Sequence, residues 1–128
     1  MPARTPEELH RLFAEALNAH DLEALMALFE PEAILIPQPG QVVTGTEAIR
    51  EALSSFLALK PKYELEFKKA FQAGDIALLF SEWTLSATDP DGNAVEMEGR
   101  TSDVVRRQPD GSWLVVIENP SGTEHGFG

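Results

Sequence analysis

Residues 61–68 read PKYELEFK, and this short stretch decides the fold class. Before Pro61, apolar residues recur every three or four positions, as they do along helices. After it, Tyr63, Leu65 and Phe67 alternate with charged side chains, and such alternation is typical of a strand with one buried face. The chain therefore changes from helices to strands at Pro61.

Helix-start signals lie upstream of this change. Thr5, Asp21 and Thr46 occupy N-cap positions, and Glu8 completes a capping box with Thr5. A short apolar run at 33–36 is bounded by prolines and predicts one early strand followed by a loop. The predicted helices cover residues 5–18, 21–29 and 46–59.

Downstream, turn sequences divide residues 62–119 into four predicted antiparallel strands. Helices must cover one face of such a sheet, so the chain is predicted to be an α+β protein. No repeat or linker interrupts the pattern, so residues 1–128 are predicted to form a single domain with an ordered core at about 5–122.

The composition excludes several classes of function. With 10 basic and 21 acidic residues, the net charge of −11 repels phosphate and anionic lipid, so we expect neither a nucleic-acid nor a membrane partner. The chain has no cysteine, which excludes disulfides and thiolate chemistry. Its three histidines lack metal-ligand spacing, so no metal or other cofactor is predicted. Nothing at the N-terminus is typical of a signal peptide, so a cytoplasmic location is expected.

Several motifs occur in the order typical of one superfamily. They are NAHDLEAL at 18–25, FEPEA at 29–33, GTEAIR at 45–50 and DGSW at 110–113. In this order the chain resembles the nuclear transport factor 2-like superfamily, in its small bacterial polyketide-cyclase-like (SnoaL-like) branch, which is related to the association domain of calcium/calmodulin-dependent kinases.

The resemblance implies a cone-shaped, cystatin-like roll, with three N-terminal helices packed on a curved, mainly antiparallel sheet. It also implies a pocket between helices and sheet, and a homodimer formed through the outer sheet face. Relatives often carry histidines at the positions of Ile117 and Asn119, so chemistry that depends on those imidazoles is not expected here. The fold hosts isomerases, cyclases, dehydratases and plain assembly modules, and does not by itself specify a function.

Asp103 is the candidate catalytic residue. It shares strand parity with Met97 and Val105, so alternation places this carboxylate in a mostly apolar row. Desolvation there would raise its pKa and suit it to general acid–base catalysis. The alternative is a structural Asp, paired with Arg106 or Arg107 or hydrogen-bonded near a strand end.

The face occupied by Glu82 depends on the loop of the hairpin at 89–92. A loop with an even number of residues puts Glu82 on the same face as Asp103, where the two would form a pair of carboxylates suited to acid–base chemistry. A loop with an odd number of residues puts Glu82 opposite Arg100 on a polar face. The odd register is favoured because it gathers the apolar residues of the two strands on one face. The sequence pattern by itself nevertheless leaves both registers open.

A pocket for a small apolar or aromatic ligand is predicted around Asp103. Asn119, at the end of the last strand, would bind Asp103 or a ligand oxygen, or else satisfy backbone groups. His10 lies beside the apolar stripe of the first helix, within reach of the pocket. The candidate ligand-binding residues are Phe13, Tyr63, Leu79, Trp83, Met97 and Asn119.

Two functions fit this pattern. The first is a small-molecule-binding domain acting as a cofactor-free isomerase, cyclase or dehydratase on an apolar carbonyl compound. The alternative is a noncatalytic dimerisation, association or ligand-sensing module. A homodimer is predicted in either case, because the last strand is apolar on both faces while helices can cover only one.

Overall fold

The structure is a computed structural model, and it describes residues 2–122; the remaining tail residues, 123–128, and Met1 lie outside that range. It confirms the predicted α+β fold, with an N-terminal helical region packed on a curved, mainly antiparallel sheet. The helices are α1 (Pro6–Asn18), α2 (Leu22–Met26) and α3 (Thr46–Leu57). The strands are β1 (Phe29–Gln38), β2 (Gln41–Thr44), β3 (Lys62–Ala73), β4 (Ile76–Thr88), β5 (Ala94–Arg107) and β6 (Trp113–Glu118).

All six strands belong to one sheet, in the order β2-β1-β6-β5-β4-β3. The four strands from β3 to β6 pair antiparallel, as predicted, whereas β1 runs parallel to β6. The inner face of the sheet packs against the helices and forms the core. Its most buried apolar side chains are Leu9, Leu25, Ile49, Leu79, Val105 and Val115. Within residues 2–122, no helix is long and apolar enough to cross a membrane.

Two of the three predicted helix caps are confirmed. Thr5 Oγ1 accepts the Glu8 N–H at 3.1 Å, and Asp21 accepts the Ala24 N–H at 3.1 Å. The prediction for Thr46 is wrong. Gly45 is the N-cap of α3, with a φ of 91° that glycine adopts without strain, so Thr46 becomes the first helical residue.

The region between α2 and α3 also differs from the prediction. Helix α2 ends at Met26 rather than at residue 29, because Phe29 already pairs with β6. Strand β1 is longer than the predicted 33–36, and the expected loop contains β2. Gly40, with a φ of 84°, turns the chain between the two strands, a conformation that periodicity does not reveal.

The hairpin between β4 and β5 has the odd register. Thr88 pairs with Ala94, which leaves a five-residue loop, and Leu79 then lies opposite Asp103. Glu82 lies opposite Arg100 on the outer face of the sheet, with an exposed ion pair of 3.5 Å between them. The alternative that placed Glu82 beside Asp103 is therefore wrong.

Candidate functional site

Asp103 lies on the inner face of β5 and is fully buried. Its Oδ2 is 2.8 Å from Nε2 of His10, and its Oδ1 accepts the backbone N–H of Asn119 at 2.7 Å. A carboxylate only accepts hydrogen bonds, so the Nε2 atom of His10 carries a proton when Asp103 is ionised. Asp103 is thus held on both oxygens, by α1 on one side and by the end of β6 on the other.

The arginine alternative for Asp103 is wrong. Arg106 bonds Glu30 at 2.8 Å, and Arg107 bonds Asp75 at 2.7 Å. Both arginines are exposed. Arg106 alternates to the outer face, whereas Arg107 shares the parity of Asp103 but lies at the end of β5, over the Trp113 ring. Alternation along the strand points Asp103 to the core, where its hydrogen-bond partners are His10 and the Asn119 N–H rather than an arginine.

His10 links Asp103 to Ser81. Its Nδ1 is 2.7 Å from the Ser81 hydroxyl, and its ring packs edge-on against Phe67. The Ser81 backbone N–H donates to Thr101 Oγ1 at 3.1 Å. Because Ser81 is only 1% exposed and lies in the middle of β4, this chain of hydrogen bonds orients the imidazole and does not present a nucleophile to solvent.

Glu118 reaches the same site through a bulge in β6. Val105 pairs with Val115, but Val104 pairs with Ile117, so β6 has one extra residue at this point. If the register that pairs Val104 with Ile117 is followed one step further, Glu118 lies beside Asp103 on the inner face. Glu118 is 4% exposed, and its Oε2 has no hydrogen-bond partner among residues 2–122.

Burial raises the pKa of Glu118 well above its ordinary value of 4.5, and the neighbouring Asp103 carboxylate adds to the rise. Glu118 therefore favours the neutral acid. Asp103 accepts two hydrogen bonds that stabilise its charge, so it is the better candidate for the ionised member of the pair. Together with His10 and Ser81, the two carboxyls form what we call the acid cluster.

Aromatic rings form a wall next to the acid cluster. Tyr63 stacks on Trp83 with 6.0 Å between ring centroids, and Phe13 meets the edge of Tyr63 at 6.2 Å. Burial raises the pKa of Tyr63 well above 10.0, and the nearby carboxyls of Glu118 and Asp103 add to the rise. The phenol is therefore neutral and lies within electrostatic reach of both carboxyls.

The predicted ligand-binding residues lie at different depths. Phe13, Tyr63 and Leu79 are buried, Trp83 is half-buried, and Met97 is 51% exposed at the far end of β5. Asn119 contacts Asp103, but through its backbone N–H; its side-chain amide bonds the Gly122 carbonyl oxygen at 2.9 Å.

A groove also runs across β3, β4 and β5. It measures about 670 Å³, and its lining combines charged residues of the outer face, such as Glu64 and Arg100, with Trp83, Gly99 and Ser121. It is open to solvent and its carboxyls lie on an exposed surface, whereas the carboxyls of the acid cluster are buried. The acid cluster is therefore the better candidate site, although it is enclosed by protein. No group of three His, Asp or Glu suited to a metal occurs within residues 2–122.

Sequence reasoning did not single out Glu118 or Ser81, and it gave His10 only a marginal place. Glu118 ends a strand that is otherwise apolar, which was an available signal. The bulge that turns it inward has no recognisable pattern in the sequence. Ser81 follows from the odd register, since it falls in the inner row of β4 with Leu79.

The fold and the enclosed acid cluster define the class of protein: an α+β cone with polar side chains buried between helices and sheet. The sequence profile of the SnoaL-like domain family matches residues 9–116, and the chain belongs to this family. This confirms the resemblance to the nuclear transport factor 2-like superfamily and its SnoaL-like branch. No curated protein matches the sequence.

Solved structures share the fold at low identity. A ketosteroid isomerase-like protein from Erwinia carotovora atroseptica is 20% identical, with a TM-score of 0.78 over 88% of each chain. A proposed calcium/calmodulin-dependent protein kinase II association domain from Xanthomonas campestris is 23% identical, with a TM-score of 0.78 over 92% of this chain and 85% of that one. An NTF2-like superfamily protein from Salmonella enterica is 23% identical, with a TM-score of 0.75 over 94% and 92%.

Proposed function

We propose that the protein binds a small apolar carbonyl compound at the acid cluster and moves a proton on it, as a cofactor-free isomerase, cyclase or dehydratase. The observation that carries this proposal is the buried Glu118 carboxyl, with its unpaired Oε2, beside Asp103. A neutral acid next to a carboxylate supplies a proton donor and a proton acceptor within one desolvated site.

Each member of the cluster has a role in such chemistry. The neutral Glu118 donates a hydrogen bond to the carbonyl oxygen of the ligand. Asp103 accepts a proton from the carbon next to that carbonyl, which is the first step of all three reactions; in an isomerase it returns the proton at another position, so the net reaction moves one proton. His10 is a positioning residue, held by Ser81, that fixes the Asp103 carboxylate. The aromatic wall of Phe13, Tyr63 and Trp83 provides the apolar contact.

Proton exchange on a simple ketone tests this proposal. 2-Tetralone, a bicyclic aromatic ketone, is incubated with the protein in deuterated buffer, and deuterium incorporation beside the carbonyl is followed by NMR. We expect exchange above the buffer rate and a loss of about tenfold or more in Glu118→Gln, because the acid is replaced by a weaker donor. Glu82→Gln, on the exposed outer face, is the matched control and keeps the rate. Equal exchange in the parent and in Glu118→Gln would refute the proposal.

A second function, association with another copy of the chain, is favoured by an apolar band on the outer face. Phe71 pairs with Leu78, Leu78 with Val104, and Val104 with Ile117, so the band crosses four strands. Phe71 is 56% exposed and Leu78 36%, although large apolar side chains are usually covered. We propose that a second copy covers this band.

The distribution of charge supports a second copy as the occupant. Two chains that each carry −11 repel one another unless they meet through uncharged surface. The band is uncharged, whereas the other half of the same face carries Glu64, Glu66 and Glu98. Sedimentation at micromolar concentration should show a dimer that dissociates in Leu78→Glu and persists in Thr84→Lys, a control outside the band. A monomeric parent would contradict the proposal.

A further inference from the structure

The way into the acid cluster can be followed along the inner row of β5. Exposure rises along this row from Asp103, at 0%, and Thr101, at 2%, through the half-buried Gly99 to the exposed Met97. The row therefore runs from the closed cluster to solvent in three steps. Gly99 is the covered position between the buried Thr101 and the exposed Met97.

Two groups cover Gly99. The Trp83 ring, from the opposite position on β4, lies directly on it: a Cβ at residue 99 would be 2.7 Å from Cζ2 of Trp83. The carbonyl oxygen of Pro120 would be 3.0 Å from the same Cβ. The absence of a side chain at Gly99 is what allows the indole and the chain after β6 to close over this point.

Residues 119–122, which we call the strap, follow Glu118 directly. The indole N–H of Trp83 donates to the Pro120 carbonyl oxygen at 3.0 Å. Gly122 has a φ of 58° and lies against β5, where a Cβ would be 2.7 Å from the Arg100 carbonyl oxygen. Through these two contacts the strap packs against the sheet beside the acid cluster.

The strap is fixed at its base and held at one point beyond it. At the base, the Ser102 N–H donates to the Asn119 carbonyl oxygen at 3.0 Å, and the Asn119 N–H bonds Asp103. Beyond Asn119, the Trp83–Pro120 hydrogen bond is the one that joins the strap to the sheet, among those seen for residues 2–122. Rotation of the Trp83 side chain would therefore release the strap from Pro120 onward and uncover Gly99, without breaking the bond that holds Asp103.

We propose that Trp83 and the strap form a gate over the acid cluster, and that a ligand enters along β5 when the Trp83–Pro120 hydrogen bond opens. This inference rests on the proposed function, because it assigns an entrance to the same site. The closed gate accounts for the enclosure of a cluster in which Glu118 Oε2 still has no hydrogen-bond partner.

Trp83→Phe tests the gate, because phenylalanine keeps an aromatic ring and loses the indole N–H. Hydrogen–deuterium exchange of the strap amides should rise several-fold, and the association and dissociation rates of 2-tetralone, from NMR line shapes, should rise with it. Trp113→Phe is the matched control, since Trp113 is buried against Arg107 rather than the strap, and it should leave both measurements unchanged. Gly122→Ala provides a second variant, because its methyl group would push the strap from β5 without altering Trp83.

The outcomes separate the gate from the function on which it rests. If 2-tetralone binds the parent and Trp83→Phe at equal rates, the gate is refuted and the proposed function stands. If strap exchange is the same in the parent, Trp83→Phe and Gly122→Ala, the gate is likewise refuted. If 2-tetralone binds none of the proteins, or exchanges deuterium as fast with Glu118→Gln as with the parent, the proposed function fails and the gate fails with it.

Discussion

The Glu118 carboxyl on β6 lies beside the Asp103 carboxyl on β5, and both are shielded from solvent. Two neighbouring carboxyls in a dry site cannot both ionise without a large electrostatic cost. His10 and the Asn119 N–H stabilise the charge of Asp103, so the proton resides on Glu118. This division between an acid and a base is the basis of the predictions that follow.

Glu118→Gln is expected to stabilise the protein at neutral pH. The pKa of Glu118 is above 4.5 in the folded chain and close to 4.5 in the unfolded chain. Between those two values the folded state binds more protons than the unfolded state, so the stability of the parent falls as pH rises. Glutamine does not titrate, so the gain in the variant should be absent near pH 3 and grow above about pH 5.

Urea unfolding at several pH values measures this gain. Glu51→Gln, at an exposed position on α3, is the control and should change the free energy of unfolding by less than about 0.5 kcal/mol at every pH. A gain in Glu118→Gln that does not depend on pH would show that Glu118 is ionised in the folded protein.

His10→Phe should destabilise the protein by about 3 kcal/mol or more, because it leaves the buried Asp103 carboxylate with one partner fewer. Ser81→Ala removes only the Ser81–His10 hydrogen bond and should cost about 1 kcal/mol. Thermal or urea unfolding of both variants shows which of them loses more stability. Equal losses would mean that the His10–Asp103 contact adds nothing beyond an ordinary hydrogen bond.

Much of this fold could be predicted from the sequence, because local patterns determine it. The change of period at Pro61 located the four antiparallel strands, and apolar matching favoured the odd register that the structure shows. The errors lie where backbone geometry overrides pattern. Gly45 starts α3 with a positive φ in place of a side-chain cap, and Gly40 makes a hairpin from an expected loop.

The candidate site was predicted less completely. Strand parity placed Asp103 on the inner face, but its partners come from α1 and from β6, which are distant in sequence. A bulge at Val116 changes the parity of β6 and turns Glu118 inward, and bulges leave little trace in hydrophobic periodicity. Long-range pairs of this kind depend on the packed fold rather than on spacing along the chain.

Asp103→Asn should lose less than about 1.5 kcal/mol of stability, since the amide oxygen can keep the Asn119 N–H and the amide N–H₂ can donate to His10 if the ring proton moves to Nδ1. Asp103→Ala leaves both partners without an acceptor and should lose about 3 kcal/mol or more. Calorimetric unfolding of these two variants separates the stability lost with the side chain from the stability lost with its charge. A severe loss in Asp103→Asn would show that the carboxylate charge itself holds His10.

A carboxyl ¹³C NMR titration that resolves the Glu118 and Asp103 signals shows directly which of the two carboxyls holds the proton. Glu118→Gln and Asp103→Asn serve to assign the two signals. The Glu118 signal should remain that of a neutral acid at neutral pH and titrate well above the ordinary range, because the carboxyl is buried beside Asp103. A Glu118 signal that titrates near 4.5, or a proton found on Asp103 in its place, would contradict the assignment of donor and acceptor on which the proposed chemistry depends.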